Sequence, residues 1–383
     1  MSRAGEARAD VVFSGGGTGG HVYPALAIAE RLHDLGRSCA FIGTPSGMES
    51  SIVARTRLPY VGIEVRPLKG RSVFAAAAAL GTAASATAQA RKVLQQLGAR
   101  VVVCSGGYVA GPVGAAAASL GLPLLLVEPN AVMGLTNRWL TRVALAVVTP
   151  FDGVPLGIPR AKRLNVGVPI RPGFEPSPRV HHGARETNVL VLGGSQGAHF
   201  LNECMPQAFA RARSQQERRP RASWGDIHVV HQTGLNDVEE TQQAYTDSSV
   251  TAEVHAYIHD MPHALQRADL VIARSGAGTV AEVCAVGRGA LFVPLPGAAD
   301  DHQTANAQAV AARGGATVLA QSDAGVEAMA RALVELLSDG ARLDDMARAA
   351  ATLGRPQAAA SVALKIDELL SASPRRRLLR FRR

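Results

Sequence analysis

The sequence predicts an α/β protein of two similar domains, each built on a doubly wound parallel sheet with helices on both faces. At 383 residues the chain is long for one hydrophobic core. Its 39 glycines and aromatic content of only 4% are typical of such proteins rather than of a β-sandwich. One pattern also occurs twice, because Gly193 to His199 follows an apolar strand just as Gly15 to His21 does, 178 residues earlier. Likewise, Arg274-Ser275-Gly276 corresponds to Cys104-Ser105-Gly106 at a spacing of 170.

The repeat and a linker define the expected domains. Between the two copies, the segment from Gly167 to Pro178 holds four prolines and is typical of a domain boundary. We predict a first domain over residues 1–172, a second over 173–355, and a last segment, 356–383, in which a helix packs back on the first domain and a basic tail follows. Ligands of doubly wound sheets bind beyond the carboxyl ends of the strands, so we expect the paired glycine turns to face one another across a cleft.

The first glycine turn, Ser14 to His21, follows the apolar strand Asp10 to Phe13, and a periodic helix is predicted from Pro24. Its glycines formally satisfy the G-x-G-x-x-G dinucleotide fingerprint. A dinucleotide site also needs an acidic residue at the end of the second strand, where this chain has Gly43-Thr44-Pro45 and, nearest, Glu49. No Lys-Ser/Thr pair follows the glycines, so the turn is not a Walker loop either. A dehydrogenase is therefore a weak alternative.

His21 stands directly after this glycine turn, at the carboxyl end of a strand. A lone histidine is more often structural than catalytic. This position nevertheless suits a group that takes a proton from a bound substrate, and we predict that His21 is a general base.

The second candidate site runs from Ala273 to Asn306. A strand gives way to the turn Ser275 to Gly278, and the helix that follows carries Glu282 one turn later, within reach of a sugar hydroxyl. The turn and the helix start offer free N–H groups to a phosphate. After the next strand, a polar loop contains Gln303 and Asn306, whose amides can both donate to and accept from a hydroxyl-rich sugar. The order of these features predicts a nucleotide-sugar site.

The net charge of +9 lies largely in the arginine-rich tail after residue 374, which carries six arginines. That tail is either a disordered end or a contact for an anionic membrane surface. A loop with Lys69, Arg71, Val73 and Phe74 is either an ordinary surface loop or a second lipid contact. Nucleic acid is a poor fit, because the body lacks basic stripes with interleaved aromatics.

No membrane span or secretory signal is expected. The 27 uncharged residues between Arg100 and Glu128 are long enough to span a bilayer, but glycines and prolines divide them into a buried strand-helix-strand unit. The start of the chain has no apolar core. The four cysteines lack any C-x-x-C pairing and are expected to be buried thiols.

Taken as a set, seven motifs closely resemble the MurG family. They are G-G-G-T-G-G-H-V-Y-P-A-L-A, G-G-Y-V-A-G-P, L-T-N-R-W-L, G-V-P-I-R, G-G-S-Q-G-A, R-S-G-A-G-T-V-A-E and D-H-Q-T-A-N-A, and the likeness covers about residues 10 to 370. The family consists of peripheral membrane transferases that move N-acetylglucosamine from its UDP donor to undecaprenyl-pyrophosphoryl-N-acetylmuramyl-pentapeptide in peptidoglycan synthesis. The resemblance implies a GT-B fold, with two Rossmann-like domains facing across a cleft, and a location at the cytoplasmic face of the cell membrane.

The resemblance also implies the site residues. The positions that match the family's donor contacts are Thr18, Gly19, Gly20, Asn130, Arg171, Ser195, Ile258, Ala277, Gly278, Thr279, Val280, Ala281, Glu282, Gln303 and Asn306. Among them, the backbone of Ile258 would read uracil, Ala277 to Glu282 would bind diphosphate and ribose, and the amides of Gln303 and Asn306 would read the sugar. The acceptor pyrophosphate is expected near Gly17 to Gly20 and near Gly106, Gly107 and Tyr108.

The expected reaction inverts the configuration at the anomeric carbon of N-acetylglucosamine. The muramyl 4-hydroxyl attacks from the face opposite to UDP, with His21 as base and Glu128 as the second choice. No D-x-D motif occurs in the chain, so no cofactor or catalytic metal is expected. Two alternatives stay open: a related transferase with another lipid acceptor, and a non-catalytic protein that holds a lipid-linked precursor at the membrane.

Overall fold

The computed structural model describes residues 8–65, 73–152, 157–179, 186–194, 197–217 and 225–372; for residues 73–81 it gives the course of a helix only. The predicted contacts Lys69, Arg71 and Ser195, the side chains of Val73 and Phe74, and the basic tail lie outside the described residues. The chain divides into two compact units. Unit 1 contains Met1–Pro172 and Gln357–Arg383, and unit 2 contains Gly173–Pro356.

Unit 1 is built on a seven-stranded, fully parallel sheet with the strand order β3-β2-β1-β4-β5-β6-β7. Its strands are β1 Val11–Ser14, β2 Cys39–Gly43, β3 Tyr60–Gly62, β4 Val101–Cys104, β5 Leu124–Val127, β6 Ala146–Val148 and β7 Arg163–Leu164. Its helices are α1 Gly19–Asp34, α2 Met48–Val53, α3 Val73–Leu97, α4 Ala110–Ser119, α5 Leu135–Leu140 and, from the end of the chain, α13 Ala358–Ser371.

The sheet of unit 1 is apolar on both faces because helices cover both of them. In β1, Val12 packs into the core on one face, while Val11 and Phe13 pack into the core on the other. Helix α13 packs against α1, and its apolar stripe completes the second core. An ion pair between Arg37 Nε and Asp367 Oδ1 (2.5 Å) adds a polar contact at the edge of this packing. The last helix is therefore an integral part of unit 1.

Unit 2 repeats the same architecture with a six-stranded, fully parallel sheet in the order β10-β9-β8-β11-β12-β13. Its strands are β8 Glu186–Leu192, β9 Asp226–Gln232, β10 Thr251–His255, β11 Leu270–Ala273, β12 Ala290–Phe292 and β13 Ala316–Val318. Its helices are α6 His199–Glu217, α7 Val238–Asp247, α8 Met261–Arg267, α9 Ala277–Val286, α10 His302–Ala311, α11 Val326–Leu337 and α12 Gly340–Leu353.

The two strand orders confirm the duplication that the sequence predicts. β8 takes the place of β1, and β11 takes the place of β4, so the repeated glycine turns follow equivalent strands. In each unit these two strands are neighbours, and the chain leaves them toward opposite edges of the sheet. Their carboxyl ends are thus the topological switch point, where doubly wound sheets bind their ligands.

The uncharged stretch after Arg100 forms β4, α4 and β5, all inside unit 1, as predicted. Among the described residues, no helix combines the length and the apolar character that crossing a membrane would require.

A buried arginine holds the proline-rich segment to unit 2. Arg288 is fully buried, and its guanidinium donates to the carbonyl oxygens of Ser177 (2.6 Å), Gln266 (2.6 Å) and Gly287 (2.8 Å). Gln266 and Gly287 lie at the carboxyl ends of α8 and α9, where the helix dipoles favour a cation. Burial lowers the pKa of Arg288 to about 10, so the side chain stays charged at neutral pH.

A histidine lies in the core of unit 2. His231, on β9, is fully buried, and its Nδ1 is hydrogen-bonded to the Tyr245 hydroxyl on α7 at 2.9 Å. Its Nε2 has no hydrogen-bond partner among the described residues. Burial lowers the pKa of His231 to about 3, because a charged imidazole would lose its hydration there. The folded protein therefore keeps this side chain neutral.

We expect His231 to make the protein less stable in acid. In the unfolded chain His231 is protonated below its ordinary pKa of 6.5. In the folded chain it stays neutral down to about pH 3. The free energy of unfolding should therefore fall by about 2 kcal/mol more between pH 7.5 and pH 5 in the wild type than in His231→Leu. Urea unfolding at both pH values measures this. His263→Leu, which replaces an exposed histidine, is the control variant, and identical slopes for the wild type and His231→Leu would refute the assignment.

Candidate active site

The first glycine turn runs directly into a helix. α1 begins at Gly19, five residues before the predicted start at Pro24, and Thr18 is its extended N-cap residue (φ −147°). Two glycines in a first turn have low helix propensity, which is why the sequence pattern places the start too late. Gly17 has a φ of +84°, which favours glycine over any other residue. Consequently His21 lies in the first turn of α1 and not in the loop before it.

The His21 ring is fixed by the backbone of the same turn. Its Nδ1 lies 3.0 Å from the Gly16 carbonyl oxygen and 3.3 Å from the Thr18 hydroxyl oxygen. A carbonyl oxygen only accepts, so Nδ1 carries the hydrogen and Nε2 is the basic nitrogen of the neutral ring. The main-chain carbonyl of His21 also accepts a hydrogen bond from the Ser105 hydroxyl at 2.5 Å. Both the position and the tautomer thus suit a proton acceptor.

The turn after β4 packs on the turn after β1 with almost no space between them. A methyl group added at Gly107 would lie 2.2 Å from the Gly16 carbonyl oxygen, and one at Gly106 would lie 3.0 Å from His21 Nε2. Gly106 and Gly107 both have positive φ, +101° and +82°. The ring of Tyr108 lies beside Gly17. The predicted acceptor residues of the two turns are therefore brought together in unit 1.

A buried carboxylate is hydrogen-bonded to the first glycine turn. Glu49, on α2, is fully buried and accepts hydrogen bonds from Thr44 N (2.9 Å) and Thr44 Oγ1 (2.6 Å) through Oε1. Its Oε2 accepts from Gly17 N at 3.4 Å. The sequence shows Glu49 only as the nearest carboxylate to the second strand, because a contact across 32 residues has no local signal.

Glu128, the alternative base, is enclosed by donors. It lies directly after β5, is buried, and accepts from Asn130 N (3.1 Å) through Oε1 and from Gly134 N (3.1 Å) and Asn137 Nδ2 (3.0 Å) through Oε2. Burial raises the pKa of Glu128, and these hydrogen bonds oppose that rise. Each of these three donors favours the ionised carboxylate. It holds the segment from Asn130 to Asn137 in place.

In unit 2, the turn after β8 repeats the close packing. A methyl group at Gly197 would lie 1.9 Å from the Thr233 carbonyl oxygen, and Gly194 and Gly197 have φ values of +85° and +80°. α6 begins at His199, whose Nδ1 lies 3.0 Å from Asp237 Oδ2. That contact raises the pKa of His199, which stands at the helix N-terminus with its side chain exposed.

The turn after β11 leads into α9, which starts at Ala277 with Gly276 as an extended N-cap residue. Among the described residues no side chain caps this end, and a methyl group at Gly276 or Gly278 would meet no atom within 4 Å beyond its chain neighbours and the helix backbone. The first N–H groups of α9 are therefore accessible to an anion at the positive end of the helix dipole. Glu282 lies half-buried in the second turn of the same helix, as the sequence predicts.

The predicted sugar-reading amides lie at the start of α10, after two residues with positive φ, Asp300 and Asp301. Gln303 Oε1 accepts from Leu295 N at 3.0 Å. Asn306 is only 1% exposed, and its Nδ2 donates to the Ser275 carbonyl oxygen at 3.1 Å. Asn306 thus fixes the turn before α9, and its contact with a sugar stays a prediction.

The other predicted donor residues are divided between the units. Asn130, Arg171, Gly19 and Gly20 are half-buried and Thr18 is exposed, all in unit 1, while Ile258 is half-buried in unit 2. Within the described ranges, no group of three or more His, Cys, Asp or Glu side chains is placed to hold a metal ion.

Family models match both halves of the chain. The glycosyltransferase family 28 N-terminal domain matches residues 11–149, and the glycosyltransferase family 28 C-terminal domain matches residues 188–362. The matched ranges contain the glycine turns and both candidate bases.

Curated relatives and solved structures agree with these models. A protein of Alkalilimnicola ehrlichii is 42% identical over 92% of this chain and 97% of its own length, and one of Halorhodospira halophila is 42% identical over 94% and 98%. Both are named UDP-N-acetylglucosamine--N-acetylmuramyl-(pentapeptide) pyrophosphoryl-undecaprenol N-acetylglucosamine transferase. The crystal structure of Acinetobacter baumannii MurG is 35% identical, covers 94% of this chain and 99% of its own, and gives a TM-score of 0.79. The calicheamicin glycosyltransferase CalG4, at 19% identity and a TM-score of 0.64, shares the fold.

The contact between the two turns of unit 1 gives a matched pair of variants. Gly36 and Gly107 have similar φ values, +74° and +82°, but a methyl group meets no other described atom within 4 Å at Gly36 and the Gly16 backbone at Gly107. Gly36→Ala should cost about 1–2 kcal/mol of unfolding free energy through φ strain alone. Gly107→Ala should cost about 1–3 kcal/mol more, because the backbone must move. Urea unfolding of both variants tests this, and equal losses would show that the contact is unimportant.

Proposed function

The chain belongs to the MurG family within glycosyltransferase family 28, and from this membership we infer that it transfers N-acetylglucosamine from UDP-N-acetylglucosamine to undecaprenyl-pyrophosphoryl-N-acetylmuramyl-pentapeptide. It is a hexosyltransferase of peptidoglycan synthesis with the GT-B fold. The observation that carries this conclusion is the identity of about 40% to transferases of this name over more than nine-tenths of the chain. The fold alone is shared with other sugar-nucleotide enzymes and would not suffice.

We propose that His21 is the catalytic base. The muramyl 4-hydroxyl must lose its proton as it attacks the anomeric carbon from the face opposite to UDP, which inverts the configuration from α to β. The hydrogen bond from Nδ1 to the Gly16 carbonyl leaves Nε2 to accept that proton. Glu128 is the weaker candidate, because the hydrogen bonds of both its oxygens already hold the segment from Asn130 to Asn137.

The departing UDP carries negative charge that must be stabilised. We assign this role to the N-terminus of α9, from Ala277 to Thr279, where uncapped N–H groups meet the positive end of the helix dipole. Ser195, outside the described residues, and Arg171 are the proposed additional contacts. Glu282 is proposed to bind the ribose, the Ile258 backbone the uracil, and Gln303 and Asn306 the sugar.

The acceptor pyrophosphate is proposed to bind at the paired turns of unit 1, at Gly17 to Gly20 and at Gly106 to Tyr108. Support comes from their close contact, because Gly107 packs on the Gly16 backbone and Tyr108 lies beside Gly17. Glycine at these positions also lets a phosphate approach the main chain closely.

We also propose that the enzyme acts at the cytoplasmic face of the cell membrane as a peripheral protein. Support comes from α5 and the turn after it, where Leu135, Trp139 and Val143 are 61%, 65% and 53% exposed. The Arg142 guanidinium lies 5.2 Å from the centroid of the Trp139 ring. Residues 131–166 contain five basic side chains and one acidic side chain, as expected for a surface that meets anionic lipid.

Two alternatives remain. A related transferase with another lipid acceptor would share every donor contact and differ in the acceptor turns. A non-catalytic protein that holds a lipid-linked precursor would bind UDP without turnover.

A transfer assay in the presence of EDTA tests the proposal. Purified protein, labelled UDP-N-acetylglucosamine and lipid-linked muramyl-pentapeptide should give label in the lipid product. Bound UDP without product would favour one of the two alternatives. Activity that returns only with magnesium would show that the transfer needs a metal.

The same assay tests the base. His21→Ala should lower kcat about 10²- to 10⁴-fold with little change in UDP affinity, because the imidazole acts on the acceptor proton. The control is His33→Ala, an exposed histidine on the same helix. Near-full turnover by His21→Ala would remove the base assignment.

We expect the exposed apolar side chains of α5 to contribute to membrane binding. The double variant Leu135→Ser, Trp139→Ser should bind vesicles containing phosphatidylglycerol about tenfold or more weakly, because two apolar side chains no longer enter the lipid. Sedimentation with vesicles measures this. Leu364→Ser, which changes a similarly exposed leucine of α13, is the control, and equal binding by both variants would place the membrane contact elsewhere.

A further inference from the structure

Gln232 lies where three strands of unit 2 end. It is the last residue of β9, the strand between β8 and β10, and it pairs with Leu192 and His255, the last residues of those strands. The residue is buried, only 3% exposed. No part of the proposed mechanism uses it.

Its side-chain amide joins the loops that follow the two neighbouring strands. Nε2 donates to the Gly194 carbonyl oxygen, in the glycine turn after β8, at 2.9 Å. Oε1 accepts from Ile258 N, in the loop after β10, at 2.8 Å. The main-chain carbonyl of Gln232 accepts from Gly193 N at 3.3 Å. The side chain thus uses a donor and an acceptor at once, a combination that a carboxylate or an apolar group of the same size lacks.

The surrounding backbone leaves this residue little freedom. Thr233 N donates to the His255 carbonyl oxygen at 3.0 Å, and the Thr233 carbonyl accepts from Asn202 Nδ2 at 3.0 Å. Gly197 lies against the same carbonyl, so closely that a methyl group there would be 1.9 Å away. The two loops are therefore held at a fixed separation, with Gln232 as a direct link between them.

That separation matters for a nucleoside diphosphate. Its base and its diphosphate are connected through a ribose, so the groups that bind them must lie at a matching distance. In the proposed donor site, the loop of Ile258 meets the base and the glycine turn after β8 adjoins the diphosphate. A neutral amide also adds no negative charge beside that diphosphate.

We infer that Gln232 is a positioning residue that fixes the Ile258 loop against the glycine turn after β8 and thereby sets the enzyme's selectivity for the base of its nucleoside diphosphate donor. The inference rests on the proposed donor site. Gln232 does not contact the ligand in this proposal. It acts through two backbone groups beside the ligand, the Gly194 carbonyl and the Ile258 N–H.

The test uses Gln232→Met, which keeps the size of the side chain and removes both hydrogen bonds without adding charge. The dissociation constant of UDP should rise about tenfold, because two buried backbone groups lose their partner and the loop moves. The ratio of CDP to UDP dissociation constants should fall by a similar factor, while inhibition by inorganic pyrophosphate changes less than twofold. The control is Gln242→Met on the exposed face of α7.

The outcomes separate three possibilities. Wild-type protein that does not bind UDP would refute the proposed donor site itself. Wild-type binding with an unchanged CDP-to-UDP ratio in Gln232→Met would overturn the inference and leave the function intact. A uniform weakening of UDP, CDP and pyrophosphate would mean a merely structural role, and this too would overturn it.

If Gln232→Met does not fold, Gln232→Glu provides the second variant. A carboxylate still accepts from Ile258 N but cannot donate to the Gly194 carbonyl, so the same fall in the ratio of CDP to UDP dissociation constants is expected. Because the added charge weakens the binding of every diphosphate, this ratio alone is the readout for the second variant, and an unchanged ratio would overturn the inference. If neither folds, hydrogen exchange of the Gln232 side-chain amide in wild-type protein decides the matter. Exchange should slow on adding UDP but not inorganic pyrophosphate, and an unchanged rate with UDP would refute the inference.

Discussion

The close approach of main chain to main chain at the end of each sheet is the constraint on which the site depends. Adjacent parallel strands bring their carboxyl ends together, and the turns that follow must share a space too small for side chains. In unit 1 this contact is between Gly107 and the Gly16 carbonyl, and in unit 2 it is between Gly197 and the Thr233 carbonyl. Glycine satisfies both the contact and the positive φ. Glycine at these positions also allows a ligand to approach the main chain closely.

Around these turns, the hydrogen-bond direction of fixed backbone groups determines the chemical state of the side chains. The Gly16 carbonyl can only accept, which places the hydrogen of His21 on Nδ1. Around Glu128 the N–H groups favour the ionised carboxylate, while burial favours the neutral acid and raises its pKa. Catalysis by His21 would therefore rely on preorganisation: the base is oriented before substrate arrives.

The two units share a topology but stabilise their first glycine turns with different groups. In unit 1 the carboxylate of Glu49 accepts from Gly17 N, while in unit 2 the neutral amide of Gln232 donates to the Gly194 carbonyl. The contact in unit 1 therefore uses a main-chain N–H group of the turn, and the contact in unit 2 uses a main-chain carbonyl.

The sequence by itself determined the α/β class, the duplication and the family, because each is encoded by local patterns. Strand, glycine turn and helix recur at fixed spacing, and the motifs from Gly15 to His21 and from Arg274 to Glu282 are contiguous. Apolar periodicity likewise indicated a final helix, Ala358–Ser371 in the structure. The sequence predicts the start of α1 five residues too late, at Pro24 instead of Gly19. Glycine has a low helix propensity, and the helix forms at Gly19 and Gly20 because of tertiary packing. Glu49 and Gln232 went unassigned and Asn306 was expected only as a sugar contact, because the partners that give them their structural roles lie 26 to 38 residues away. Only the tertiary structure decided those roles, since the strand order brings such residues together and no local pattern records it.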